Sequence, residues 1–412
     1  MQELYQRILF TLFMIVIFKL GTHIPVPGID SSALEIFASD SSGGVLSMLN
    51  TFSGGALMRG SIFALYLGPY ITASIVVQMT TYIYDYMKEL KETQEGREKI
   101  SQYSRYLSIV LAITQSYGMA ILLESQGQGI VINPGYFFRF ICVVNMTIGT
   151  MILVWISEQI TMYGFGNGSS IVILVGIISG LPNGLLYFFD LFRKNLININ
   201  QFLIIIIVCI ALLLITILCE TAARKVNVQY PRHMQGRNTG MNNNSYIPLK
   251  INVSGVIPPI LAMTLMQMPI TLISNAPSLS WLAAYVYPGS ISYIMLYMIL
   301  LISFAFLHSD MVFNPKDVSN RLQMSSGYVV GVRPGRSTEL FFEDILFKLS
   351  GLACIYLIVL CIVPQLVGMQ LGVSMAFGGT TMLIVVNVII DTIGKFQSYG
   401  IEQKYKRIRV KY

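Results

Sequence analysis

Charge is what this chain has least of: 11% of its 412 residues are Asp, Glu, Lys or Arg, against 54% hydrophobic residues. Too few charges are present to cover a soluble surface, which excludes an ordinary water-soluble domain. Histidine is scarcer still, with three residues (His23, His233, His308) far apart in the chain. No His-Glu-x-x-His helix and no Cys/His ligand spacing occurs, so no metal site is expected. A Gly-x-x-x-x-Gly-Lys-Ser/Thr phosphate loop and a Gly-x-Ser-x-Gly elbow are also lacking, so no catalytic residue is assigned and no cofactor is expected. The five cysteines (142, 209, 219, 354, 361) all lie in apolar runs and read as small buried hydrophobes.

Long apolar runs are what the chain does have. A membrane-spanning helix needs about 20 of them in a row. Such windows fall near 7–24, 68–85, 105–123, 137–157, 169–189, 201–219, 254–274, 289–307, 345–365 and 378–394. The first follows Arg7 at once and runs into Gly21-Thr-His-Ile-Pro-Val-Pro-Gly28 without a small-residue cleavage site, which reads as a retained helix. With the N-terminus on the cytoplasmic (or stromal) side, most of the 27 Lys and Arg fall on that side, a positive-inside pattern. Arg59, Arg139, Arg193 and Lys194 fall opposite, while Lys19 and Lys348 sit where they can snorkel.

The expected fold is therefore all-α and polytopic. Ten spans divide into two five-helix halves, 1–200 and 201–412, and an odd number per half makes the second thread the membrane in reverse. The second span is interrupted by Gly68-Pro69, and its counterpart, the seventh, opens with Gly255-Val-Ile-Pro-Pro259. Breaks at matching positions of two inverted halves point to the working site, and broken helices are tolerated where they line a cavity. Proline near a helix start is also ordinary, so the seventh span alone would carry little.

Two large basic loops, 220–250 and 309–343, and a basic C-terminal tail offer themselves to a partner. The first contains the polar, turn-rich run Gln235–Ser245; the second, with Tyr328-Val-Val-Gly-Val-Arg333-Pro-Gly-Arg336, reads as a protruding hairpin. Simple contact with anionic headgroups competes for the individual charges. Ionisable residues within spans (Lys19, Glu158, Glu220, Asp391) keep near their ends. That weakens the alternative of an inverted-repeat secondary transporter for a small solute, which would bury a coupling group at the midplane. Asn145 and Asn387 are polar within spans and read as interhelical contacts.

Motifs along the whole chain then resemble one family. They include Ile24-Pro-Val-Pro-Gly-Ile-Asp30, Phe52-Ser-Gly-Gly-Ala-Leu57, Ser61-Ile-Phe-Ala-Leu65 and Pro69-Tyr-Ile-Thr-Ala-Ser74. Lys99-Ile-Ser-Gln-Tyr-Ser-Arg-Tyr106, Glu158-Gln-Ile-Thr161, Gly166-Asn-Gly168 and Pro248-Leu-Lys-Ile-Asn252 continue the series. Phe313-Asn-Pro315, Val332-Arg-Pro-Gly335 and Phe377-Gly-Gly-Thr380 complete it. In this order they resemble the SecY/Sec61 alpha family, the central subunits of the Sec protein-conducting channel.

The resemblance implies a passive channel for unfolded precursor proteins, across the membrane and sideways between spans two and seven into lipid. It implies a plug half-helix at about 51–66, with Phe52, Ser53, Gly54, Gly55, Ala56, Leu57 and Arg59, and a pore ring of Ile71, Ile173, Ile260 and Ile384. An apolar constriction dewets and so blocks ions without a rigid lid. Arg333, helped by Arg224, Lys225, Arg232, Arg237 and Arg336, would engage a ribosome or a SecA motor. Further implied partners are a SecE-like subunit, a SecG-like subunit, signal-bearing precursors and membrane lipid. The chain departs from the family pattern at its short N-terminus, at Ser169 and at Asn387. The short N-terminus and the Ile- and Asn-rich composition resemble plastid-encoded members, giving a thylakoid location with the bacterial plasma membrane as the alternative.

Overall fold

The computed structural model describes residues 2–34, 53–125, 129–194, 198–230, 245–275, 290–371 and 378–410. In chain order the elements are α1 (Gln2–Gly21), α2 (Gly68–Ile83), α3 (Asp85–Glu92), α4 (Gln94–Ser125), α5 (Tyr136–Tyr163), α6 (Gly168–Arg193) and α7 (Ile199–Thr221). There follow β1 (Ala223–Gln229), β2 (Ser245–Lys250), α8 (Ile257–Asn275), α9 (Ile291–Val312), α10 (Pro315–Met324), β3 (Tyr328–Val329), α11 (Arg336–Leu371) and α12 (Gly379–Val410).

Each apolar window of the sequence falls on a helix: α1, α2, α4 to α9, α11 and α12. Among the described residues, 7 helices are long and apolar enough to cross a membrane, and Gly168–Pro182 and Ile257–Met266 form shorter apolar helices. Helix α7 shows why such sequences need lipid. Isoleucine and leucine cover its whole circumference, yet only 17% of its apolar window is buried against protein, a surface suited to lipid rather than water. Its start is set by a capping box, in which the Asn198 N–H donates to Gln201 Oε1 over 3.0 Å.

The Gly68-Pro69 interruption is the start of α2, with Pro69 in the first turn where its missing N–H costs nothing. At 16 residues this helix reaches about 24 Å, short of the roughly 30 Å hydrocarbon core. Where a half-helix was expected, 53–67 is a succession of turns, because Gly54, Gly55 and Gly60 all take positive φ. Two glycines in neighbouring helices seat this segment: a Cβ on Gly149 would lie 2.0 Å from the Ile62 carbonyl oxygen, and one on Gly21 2.0 Å from the Phe63 ring.

Packing divides the membrane part into three apolar clusters. One joins α4 and α5 to 26–34 and 57–65 around Met119, Cys142 and Met146. Another joins α8, α9, α11 and α12 around Met266, Leu301 and Leu357. Between them lies a third, built from α1, α2, α5, α6, α8, α12 and the turn segment. The all-α expectation needs one addition, a small three-stranded sheet of order β2-β1-β3.

Candidate functional site: a four-helix apolar cluster and a basic sheet

The four isoleucines singled out in the sequence come from α2, α6, α8 and α12, and all four lie in the central cluster. Ile173 and Ile384 are buried, while Ile71 and Ile260 are half-buried. The turn segment reaches the same cluster through Ala56, Phe63, Tyr66 and Leu67. Tyr66 takes φ 56°, a left-handed backbone that costs a bulky residue about 1–2 kcal/mol. The buried hydroxyl offsets this by donating to the Val172 carbonyl of α6. Gly54 lies flat on the same helix, since a Cβ there would sit 2.9 Å from the Gly176 carbonyl oxygen.

Of the plug residues named from the sequence, Phe52 lies outside the described residues; Ser53, Gly54, Ala56 and Leu57 are buried. The other end of the segment is tied to the end of α1. His23 Nδ1 lies 2.9 Å from the Lys19 carbonyl and its Nε2 2.7 Å from Arg59 Nη1. Those two bonds require the tautomer with the proton on Nδ1, so that Nε2 accepts from the guanidinium. The backbone adds Ile62 N–H to the Ile24 carbonyl at 3.0 Å and Val26 N–H to the Gly60 carbonyl at 2.8 Å. Helix α8 packs against α2 and α4, so the two helices picked for their glycine and proline breaks do meet. Asn387 faces the start of α8, with Nδ2 3.5 Å from a Cβ built on Gly255. Asn145, read as an interhelical contact, instead donates to the Ile141 carbonyl of its own helix at 2.8 Å.

The two basic loops, read separately in the sequence, form one body. Strand β1 pairs antiparallel with β2, from Ala223↔Lys250 to Val228↔Ser245. On its other side β1 pairs with β3, Val228 opposite Val329. Alternation along β1 turns Val226 and Val228 inward, where Leu249, Leu322, Val329, Phe342, Ile345 and Leu349 complete a core beneath the sheet. Arg224 and Lys225 stay exposed, Lys225 Nζ lying 4.9 Å from the Tyr246 ring centroid. Arg333 and Arg336 are exposed at the turn into α11. That turn is pinned by Thr338 Oγ1 donating to the Arg333 carbonyl at 2.9 Å and Ser319 Oγ to the Gly335 carbonyl at 2.8 Å. Arg232 and Arg237 lie outside the described residues.

Sequence reasoning missed the polar contacts at the root of this platform, where buried Glu220 meets buried Asn252. Asn252 was in view as part of the Pro248–Asn252 motif, and an acid at a span end was noted, but nothing in their spacing joins them.

Comparison with known proteins follows the same outline. The SecY family model matches residues 61–393. A curated relative from Rickettsia typhi, named protein translocase subunit SecY, is 42% identical over 424 residues, covering 99% of this chain and 97% of its own. A solved structure described as that of a protein conducting channel aligns at TM-score 0.67 and 16% identity, covering 96% of this chain and 92% of the other. Sec61 in the canine ribosome-channel complex aligns at TM-score 0.63 and 17% identity, covering 96% and 92%.

Proposed function

Because the chain belongs to the SecY family, we propose that its central cluster is the closed waist of a protein-conducting channel and that the basic platform receives the partner that drives transport. The chain is a multi-pass membrane protein and a protein translocase subunit, not an enzyme. The observation that carries the pore assignment is the meeting of Ile71, Ile173, Ile260 and Ile384, from four separate helices, in one apolar cluster capped by the turn segment. Apolar side chains on separate helices can part around a passing chain and close again, and when closed they exclude water and ions. The 53–67 turns then act as the plug, held by Tyr66 on one side and by His23 and Arg59 on the other.

Substrate is an unfolded, signal-bearing precursor protein, and the seam between α2 and α8 is the route by which an apolar segment leaves for lipid. Arg224 and Lys225 present positive charge from β1, and Arg333 and Arg336 from the turn that leads from β3 into α11. That suits ribosomal RNA phosphates, which such residues hold without reading sequence; a SecA-type motor would use the same surface. A SecE-like subunit, and a SecG-like one, would cover the lipid-exposed helices. The Rickettsia relative favours a bacterial-type plasma membrane over the thylakoid expected from composition. Among the described residues the buried carboxylate is Glu220, at the α7–β1 junction and outside the central cluster, which weighs against the transporter alternative.

A photo-crosslinker at Ile71, facing a stalled precursor in native membranes, tests the proposal. A crosslink formed only with a translocating chain is the expected result. Its absence, with Arg333 still crosslinking to a docked partner, would make the chain a docking scaffold.

A further inference from the structure

The platform is joined to the membrane by two junctions, and the structure stitches these to each other. Helix α7 passes into β1 between Glu220 and Ala223; β2 passes into α8 across 251–256. The Ile251 N–H donates to the Ala222 carbonyl at 3.1 Å, extending the ladder to its root. Immediately beneath, Asn252 Nδ2 donates to Glu220 Oε1 at 2.6 Å, with both residues 2% exposed. The same amide donates to the Gly255 carbonyl at 3.1 Å, while its Oδ1 accepts from the Gly255 N–H at 3.1 Å and from Ser254 Oγ at 3.0 Å.

Every hydrogen-bonding position of the Asn252 side chain is thus filled. Gly255, at φ 63°, is pinned at both its N–H and its carbonyl, and α8 begins two residues later. From there the first turns of α8 lead to Ile260 in the waist. A linker of this length would ordinarily absorb any motion of the strands above it. Here its backbone is tied to a side chain that is itself tied to the end of another helix. The bond is buried at both ends, where leaving a donor or acceptor without its partner is costly.

We infer that Glu220 and Asn252 are positioning residues that make the β1–β2 hairpin and the start of α8 one mechanical unit, so that a partner pressing on the hairpin moves Ile260 and the α2–α8 seam. This rests on the channel reading above. The lock adds no contact with substrate or partner. Its work is to carry displacement from the platform to the helix that forms half of the seam.

The test uses the full complex in lipid, with a pair of labels on α2 and α8 reporting their separation before and after ribosome docking. In the wild type docking changes the separation. N252D, which removes both Nδ2 donations and sets a carboxylate against Glu220, is expected to abolish most of that change, with docking affinity and membrane insertion unaltered. E220Q/N252D, whose glutamine can donate to the aspartate, is expected to restore part of it. Should N252D fail to accumulate, E220L, which leaves one Asn252 N–H unpaired, is measured instead with the same expectation. A full response in N252D or E220L, or a loss of docking affinity in place of the response, overturns the lock. No docking response in the wild type would instead count against the channel reading itself.

Discussion

Replacing Phe342 with alanine should detach the platform from its own core while leaving the membrane helices in place. Phe342 lies on α11, is 0% exposed, and packs at ring-centroid distances of 5.7 Å from Phe313 and 5.8 Å from Phe341. Beneath the sheet it touches the cluster that joins Val226 and Val228 of β1 to Leu322 of α10 and Val329 of β3. This core is small, and truncating a buried phenylalanine costs about 3–5 kcal/mol. At roughly 1.4 kcal/mol per tenfold, the population with β3 and α10 released from β1 rises by about 10² to a few times 10³. Hydrogen exchange at the β1 amides, measured in lipid, reads that population directly. Phe347, one and a half turns further along α11, is the control: it is 70% exposed, and its alanine variant should leave β1 exchange unchanged. Ribosome binding should weaken in the first variant and hold in the second. Unchanged β1 exchange in F342A, or an equal rise in F347A, would refute the idea that one core unites the two loops.

Three other outcomes are expected. R333E should impair translocation without changing protein level or insertion, because Arg333 is exposed on a pinned turn and packs under nothing; normal translocation at normal level removes the assigned role. Gly149→Leu should raise ion leak across reconstituted membranes, because even a Cβ there would meet the Ile62 carbonyl oxygen at 2.0 Å and push the turn segment aside; an unchanged leak would show that 53–67 seals nothing. Asparagine at both Ile71 and Ile384 should wet the waist and make the closed channel permeable to small ions, measured as conductance without substrate, whereas a scaffold without a pore would be indifferent.

Helices were the most legible feature, because a bilayer imposes a length and a composition that a hydropathy window reads directly. The Gly68-Pro69 signal was legible as a position and misread in form, since it marks the start of α2 rather than a cut between two helical pieces, while Pro258-Pro259 opens α8 as the sequence suggested. The 53–67 segment was legible as a special stretch from Gly54, Gly55 and Gly60. Its conformation depended on Tyr66 finding the Val172 carbonyl, more than a hundred positions away in the chain. The basic loops carried their charge openly, but Tyr328-Val329 is too short to declare itself a strand until it meets Val228 and Gln229.

The sequence by itself determined that the chain lives in a membrane and which family it resembles. Those properties are sums over local residues, each transferred independently between water and hydrocarbon. Only the tertiary structure decided that four isoleucines from α2, α6, α8 and α12 share one cluster and that two distant loops share one sheet. It alone joined Glu220 to Asn252 at the root of that sheet. The physical reason is range: hydrophobic partition acts on each segment alone, whereas packing and hydrogen bonds act only between groups that folding has already brought within contact distance.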